Sequence, residues 1–397
     1  MHKAVVIVLA LVALSNLVLC ARGLLYGLFI YRKFLVPRFR EDYAPKVAVF
    51  VPCKGMEENL ESYLEAIVMQ DYSDYTVTFI TESVDDAAVV PIRNVVAKNP
   101  HTSHVVAGLA RTCCQKNHNL LQAIARDSSS EVFIFADADI RPGRQWIRDL
   151  VLPLSAADIP ISTGFRWLTP PRFTFWGTIH SMLSAYICTL MSSSSGVWGG
   201  SMAIRRKEYD HYEVGKTWSV TVVDDISLTR IIIKNRVKRV FVPHCIATST
   251  NVLETFSGDL EWFTRQLMFL KIYCRPLWVT AFLFTFVAAG LMVLSALLLT
   301  ASLWAPPLRE WAPLFGIFLV MMMGSLGLIK FNYRDNQSYL VWCLLTLPGE
   351  VMGALSLVKS LLTGDLIWRN IRYAMNRDGS VREVEFLGEG RKKEQGS

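Results

Sequence analysis

Two acids separated by one residue, Asp137 and Asp139, end the apolar run Val132-Phe-Ile-Phe-Ala136. At a strand end this spacing lets both carboxylates approach one hard cation, Mg2+ or Mn2+, whose shell is completed by water and phosphate oxygens. Acids after strands also cap helices and form turns, so the pair by itself leaves both readings open. A second pair, Asp224-Asp225, follows Val222-Val223 and precedes a helical stretch over 226–235. It reads either as a helix cap favoured by the helix dipole or as a general base, Asp225, that takes a proton from an attacking hydroxyl. Glu82, Asp85 and Asp86 follow the run 76–80, where acids of nucleotide-binding sheets reach ribose or base; a solvated loop is the other reading of Asp85 and Asp86. Lys116, near a helix start, pairs with a diphosphate or stays an ordinary surface lysine.

The elements that must hold these groups are strand-like runs at 47–51, 76–80, 104–106, 132–136, 161–164 and 239–242, alternating with helical stretches such as 58–70 and 117–126. That alternation predicts an α/β domain over 45–275 with a mostly parallel, doubly wound sheet, whose ligands bind beyond the carboxyl ends of the strands.

The remainder reads as membrane. In 397 residues, 52% are hydrophobic and 19% charged, which predicts several spans around one soluble block. The net charge of +7 comes without a run of Lys and Arg long enough for a nucleic-acid track. The eight cysteines form no CxxC pair, against a zinc site or disulfide framework and in favour of a reducing compartment. Residues 1–44 hold an apolar span followed by Arg32, Lys33, Arg38 and Arg40, which places its C-terminal side in the cytoplasm. No small-residue cleavage site follows it, so a signal peptide is the weaker reading. Residues 276–363 hold the uncharged runs 277–304 and 311–329, joined as a hairpin, and a third run, 339–362, carrying Pro348, Gly349, Glu350 and Lys359. Those polar residues predict a broken or re-entrant segment. Four simple crossings would put the basic tail, 364–397, outside, whereas its Arg and Lys residues, with Arg391, Lys392 and Lys393 among them, favour the cytoplasm.

Taken in order, Val51-Pro-Cys-Lys-Gly55, Thr81-Glu-Ser-Val-Asp-Asp86, Gln115-Lys-Asn-His-Asn-Leu120, Asp137-Ala-Asp139, Thr163-Gly-Phe-Arg-Trp167, Val197-Trp-Gly-Gly-Ser-Met-Ala-Ile-Arg-Arg206, Val223-Asp-Asp225, Trp262-Phe-Thr-Arg-Gln266 and Trp368-Arg-Asn-Ile-Arg-Tyr373 resemble family 2 glycosyltransferases of the GT-A fold. The likeness is greatest to the ceramide-glucosyltransferase-like branch and its bacterial relatives. The resemblance implies a Rossmann-like catalytic domain on the cytoplasmic side of a bacterial plasma membrane, with N- and C-terminal transmembrane helices. It implies inverting transfer of a hexose from a nucleotide sugar, UDP-hexose foremost, to a lipid hydroxyl such as that of ceramide. Donor contacts fall to Pro52, Glu82, Lys116, Asp137 and Arg265, and Mg2+ or Mn2+ to Asp137 and Asp139. Catalysis falls to Asp225 with Asp224, and the acceptor to Gly199, Gly200 and Trp262. Where the wider family has Gln or Arg, two residues, then Arg-Trp, this chain keeps Arg265 but changes both neighbours, leaving Gln266 without an assigned contact. That departure, and the small number of spans, count against a processive polysaccharide synthase. The presence of all three aspartates at strand ends counts against an inactive scaffold that retains the fold. The stretch 173–191, aromatic and nearly uncharged, is either a buried core helix or an interfacial helix that brings the site to the bilayer. His180 within it reads as packing.

Overall fold

A computed structural model describes residues 2–332 and 337–387; Arg334, Arg391, Lys392 and Lys393 lie outside the described residues. Seven strands, β1 (Val47–Pro52), β2 (Tyr75–Thr81), β3 (Thr102–Val106), β4 (Val132–Ala136), β5 (Ile161–Leu168), β6 (Ser201–Arg205) and β7 (Arg239–Ser249), form one sheet in the order β3-β2-β1-β4-β6-β5-β7. All neighbours are parallel except β6, which runs antiparallel to both β4 and β5. The sheet is thus mostly parallel and covered on both faces, as a GT-A fold requires. This covering is why β4 is apolar at every position. Strand β6 lies inside a glycine- and arginine-flanked motif and is too short to show a period of its own.

The helices are α1 (His2–Leu25), α2 (Leu60–Val68), α3 (Val89–Lys98), α4 (Gln115–Ile124), α5 (Trp146–Val151), α6 (Phe175–Ser192), α7 (Arg206–His211), α8 (Val214–Trp218), α9 (Asp225–Asn235), α10 (Phe256–Tyr273), α11 (Arg275–Ala301), α12 (Ala312–Ile329) and α13 (Tyr339–Leu362). One face of the sheet packs on Leu64 and Ile67 of α2, Ile92 and Val95 of α3, and Trp146 and Ile147 of α5. The other packs on Leu120 of α4, Trp218 of α8 and Leu228 and Ile232 of α9.

Among the described residues, four helical segments are long and apolar enough to cross a membrane: Lys3–Arg38, α11, α12 and α13. The first is α1 continued by wider, π-type turns over Tyr26–Leu35. Helices α1, α11 and α12 share a core of Leu9, Ala13, Ala288, Met292, Phe315 and Met322. The stretch 173–191 becomes α6, capped by Thr174, whose hydroxyl accepts from the Gly177 amide at 3.2 Å. It is enclosed between β5 and the apolar helices, with Ile179, Met182 and Cys188 buried beside Cys20, Phe165, Trp167 and Trp342.

Helix α13 is continuous, not broken. Pro348 removes one backbone donor, yet packing against α6, α10, α11 and α12 keeps the helix intact through it. Its two ends meet the sheet-side ends of its neighbours. A Cβ added at Gly327, near the end of α12, would lie 3.3 Å from Cys343 Sγ, and Ser360 Oγ accepts from Trp278 Nε1 of α11 at 3.1 Å. Beyond α13 the chain does not trail away as a tail. Strands β8 (Leu366–Trp368), β9 (Ile371–Met375) and β10 (Val381–Phe386) form an antiparallel sheet that docks on the catalytic domain through Tyr373, buried with Val222, Val223 and Phe269.

Candidate active site

The carboxyl end of β4 and the start of α9 meet at one lysine. Lys116 Nζ lies 2.9 Å from Asp137 Oδ1 and 3.0 Å from Asp224 Oδ2. Burial works against its charge, but Asp137, Asp224 and Asp225 outweigh that and hold its pKa above the ordinary lysine value. Asp137 is partly buried, and the ammonium of Lys116 keeps its pKa below the usual carboxylate range despite the desolvation.

Asp225 is the first residue of α9. Its Oδ2 accepts from the Gly199 amide at 3.0 Å and its Oδ1 from the Ile226 amide at 2.6 Å. Burial, and then the neighbouring Asp224 carboxylate, push its pKa up to about 7, the range a general base needs near neutrality. The Gly199-Gly200 pair is dictated by crowding. A Cβ on Gly199 would fall 2.0 Å from Asp224 Oδ2, and one on Gly200 2.6 Å from Asp137 Oδ2. No side chain fits between the two acids.

Asp139 is held from the other side. Arg166 Nη1, on β5, lies 3.1 Å from Asp139 Oδ2, and the guanidinium rests over the rings of Trp198 and Trp262 at 5.8 and 5.7 Å. Asn251 Nδ2 lies 3.5 Å from Asp139 Oδ2 and 3.3 Å from Glu57 Oε2. Glu57 Oε1 in turn pairs with Arg369 Nη2 at 2.9 Å. Burial and then the charge of Asp139 raise the Glu57 pKa. Arg265, on α10, has no carboxylate within ion-pair distance among the described residues. Burial, then the guanidiniums of Arg369 and Arg166, pull its pKa down to about 10. An uncompensated cation beside two other guanidiniums is a place for anionic oxygen.

The residues present fit a divalent ion bound together with a diphosphate. Among the described residues no group of three or more His, Cys, Asp and Glu side chains forms a metal cage. Asp137 Oδ2 and Asp139 Oδ1, however, receive no donor from the described residues. Two hard carboxylate oxygens suit an ion that takes its remaining ligands from phosphate and water.

The other predicted residues are spread around this centre. Pro52 closes β1. Glu82 Oε2 is paired with Lys54 Nζ at 2.8 Å, so it meets a lysine in the protein itself. Asp86 holds the turn at Gly55, accepting from its amide at 2.8 Å, while Asp85 is exposed. Trp262 packs edge-on against His180 at 4.8 Å, and His180 Nδ1 is 2.7 Å from Asp259 Oδ1, both buried. Burial lowers the His180 pKa and raises that of Asp259, so this pair pins α10 to α6 beneath Trp262.

Sequence reasoning assigned no role to Glu57, Arg166, Asn251 or Arg369. Arg166 had a signal, since a charged residue inside an otherwise uncharged, largely buried strand must find an acid. Arg369 had none, because its partner Glu57 is 312 residues away.

Among solved structures, a mannosyltransferase from Pyrobaculum calidifontis, PcManGT, in complex with GDP-Man and Mn2+, is 17% identical. The match covers 80% of this chain and 99% of that one, at a TM-score of 0.49. Glucosyl-3-phosphoglycerate synthase from Mycobacterium tuberculosis is 14% identical over 58% of this chain and 80% of that one, at a TM-score of 0.37. A search of curated protein sequences returns no match. The profile described as glycosyl transferase family 21 matches residues 7–381, where the motifs suggested family 2 with its ceramide-glucosyltransferase-like branch. The chain belongs to glycosyltransferase family 21.

Proposed function

We propose that this glycosyltransferase is membrane-embedded and inverting, and moves a hexose from a nucleotide sugar, UDP-hexose foremost, to a lipid hydroxyl such as that of ceramide. The observation that carries the reading is the lysine bridge from Asp137 to Asp224. It brings a diphosphate-binding strand end and a base-bearing helix start into one cluster.

Asp225 takes the proton of the acceptor hydroxyl while that oxygen attacks the anomeric carbon; the bond from that carbon to the diphosphate oxygen breaks on the opposite face. Lys116 and Arg265 hold the departing diphosphate. Asp137 and Asp139 would hold Mg2+ or Mn2+, which when bound supplies charge neutralisation of that leaving group. Gly199, its amide donating to Asp225, keeps the base in place, and Trp262, braced by His180, offers an apolar face to the acceptor. The lipid reading is supported by α6 and α13, which lie between the sheet and the apolar hairpin.

The test is detergent-purified protein incubated with a panel of nucleotide sugars, Mg2+ or Mn2+, and ceramide, diacylglycerol or polyprenyl phosphate. Lipid-dependent release of nucleoside diphosphate is expected, falling by about 10²–10⁴-fold in Asp225→Asn and also lost in Asp139→Asn. Full activity in both variants would sink the role assignment. Polymer as product would replace the lipid acceptor with a growing chain.

A further inference from the structure

The mechanism leaves unused a cavity of about 270 Å³ at the sheet-side end of α1, lined by Arg22, Leu25, Tyr26, Ile30, Ser192–Ser194 and Arg239. It is chemically two-sided. Leu25 and Ile30 are exposed apolar residues of the membrane segment, whereas Arg22, Arg239 and the three serines supply only donors and hydroxyls. Each guanidinium makes one hydrogen bond, Arg22 to the Ser193 carbonyl at 3.4 Å and Arg239 to the Met191 carbonyl. Neither has a carboxylate within ion-pair distance among the described residues. A guanidinium has five N–H donors, so most of the donor capacity of both arginines remains. Burial pulls the Arg239 pKa down to about 10, yet leaves it fully charged at neutral pH. Among the described residues Arg32 and Lys33 on the same segment also have no carboxylate within ion-pair distance, Arg32 meeting His244 Nε2 at 3.3 Å and Lys33 the Phe29 and Phe34 rings.

We infer that this cavity binds the phosphate of an anionic phospholipid, with Arg22 and Arg239 on the phosphate oxygens and Leu25 and Ile30 against the start of the acyl chains. The source is the bilayer and not free phosphate, because the cavity opens beside Leu25 and Ile30, exposed apolar residues of the membrane segment Lys3–Arg38. None of its lining residues is among those assigned to the acceptor. It adjoins residues 195–198, which lead from α6 to Gly199, so its occupant rests against the base of the loop that holds Asp225. The inference rests on the chain being membrane-embedded, but not on the sugar or acceptor assigned above.

The experiment is native mass spectrometry of the full chain in detergent, with added phosphatidylglycerol or phosphatidylcholine of matched acyl chains. Inorganic phosphate serves as the soluble competitor. One phosphatidylglycerol is expected to stay bound at least about fivefold more than phosphatidylcholine, consistent with roughly 1 kcal/mol per basic residue near a membrane surface. That excess is expected to disappear in Arg22→Gln and in Ser194→Asp. Ser194→Asp keeps both arginines, and therefore the bonds that finish α6, while placing a negative charge at the rim. Equal retention of the two lipids, an excess unchanged in both variants, or displacement of phosphatidylglycerol by millimolar inorganic phosphate would each overturn the inference. Lipid-dependent nucleotide release, measured separately, tells failure here from failure of the glycosyltransferase reading.

Discussion

At the residue scale, the site is a salt of opposed charges in which one carboxyl is left to titrate. Asp137 and Asp139 are held by Lys116 and Arg166, while Asp225 receives only two backbone amides. With its pKa pushed up to about 7 by burial and by Asp224, Asp225 is protonated, and useless as a base, on the acid side. The rate constant kcat/KM should therefore rise with pH through about 7 and fall about tenfold per unit below it; a flat profile from pH 5 to 8 would remove Asp225 as the base. Lys116 makes a second prediction. Its removal leaves the buried Asp137 and Asp224 carboxylates facing each other without a cation, so Lys116→Met should destabilise the folded protein by about 3–5 kcal/mol. Thermal unfolding should register this even without substrate, which an exclusively ligand-binding lysine would not cause.

At the element scale, what was legible in the sequence were the elements that carry their own pattern. Strands β1, β2 and β4 are apolar runs ending in polar residues, and their order with the intervening helices points to the parallel sheet. Asp137 and Asp139 could be read because they follow β4, and Asp225 because it comes after the short apolar pair Val222-Val223 and opens α9. Strand β6 and the sheet β8–β10 were not legible, since a five-residue antiparallel strand and a late hairpin have meaning only through partners distant in sequence. Arg166 gave a partial signal as the charged residue of β5, but its acid, Asp139, lies in the turn after β4 and could not be named. Helix α13 shows the limit of composition most clearly: it is apolar enough to cross, yet both its ends meet sheet-side ends of α11 and α12. A crossing helix cannot do that. Single cysteines at the exposed positions Ser338 and Gly364 should react with an impermeant maleimide from the same face of sealed vesicles. A cysteine at Glu310, in the α11–α12 turn, should react from the opposite face. Labelling of 338 and 364 from opposite faces would make α13 a true span.

At the scale of the whole molecule, the last described strands close the catalytic domain that the first ones open. Tyr373 accepts from the Gln115 amide at 3.3 Å, Arg369 donates to the Lys54 carbonyl at 2.6 Å, and the Val381 amide donates to the Val220 carbonyl at 2.7 Å. The small sheet thus ties down the loops after β1, before α4 and before α9, each of which borders the site. Tyr373→Ala should cost about 3–5 kcal/mol, as for other large buried rings, and should abolish transfer while the α11–α12 hairpin stays inserted, as checked by carbonate extraction. The return of α13 to the sheet side has a further consequence. On the membrane-embedded reading proposed above, with α11 and α12 as a simple hairpin, the described helices build no conduit from one face of the bilayer to the other. If the acceptor is the lipid proposed above, its new hydroxyls stay in the leaflet where the sheet lies, and carrying them through hydrocarbon unpaired costs several kcal/mol per group. On that proposal the product is born on one side of the membrane only, and its transbilayer asymmetry lasts until a separate translocation step erases it.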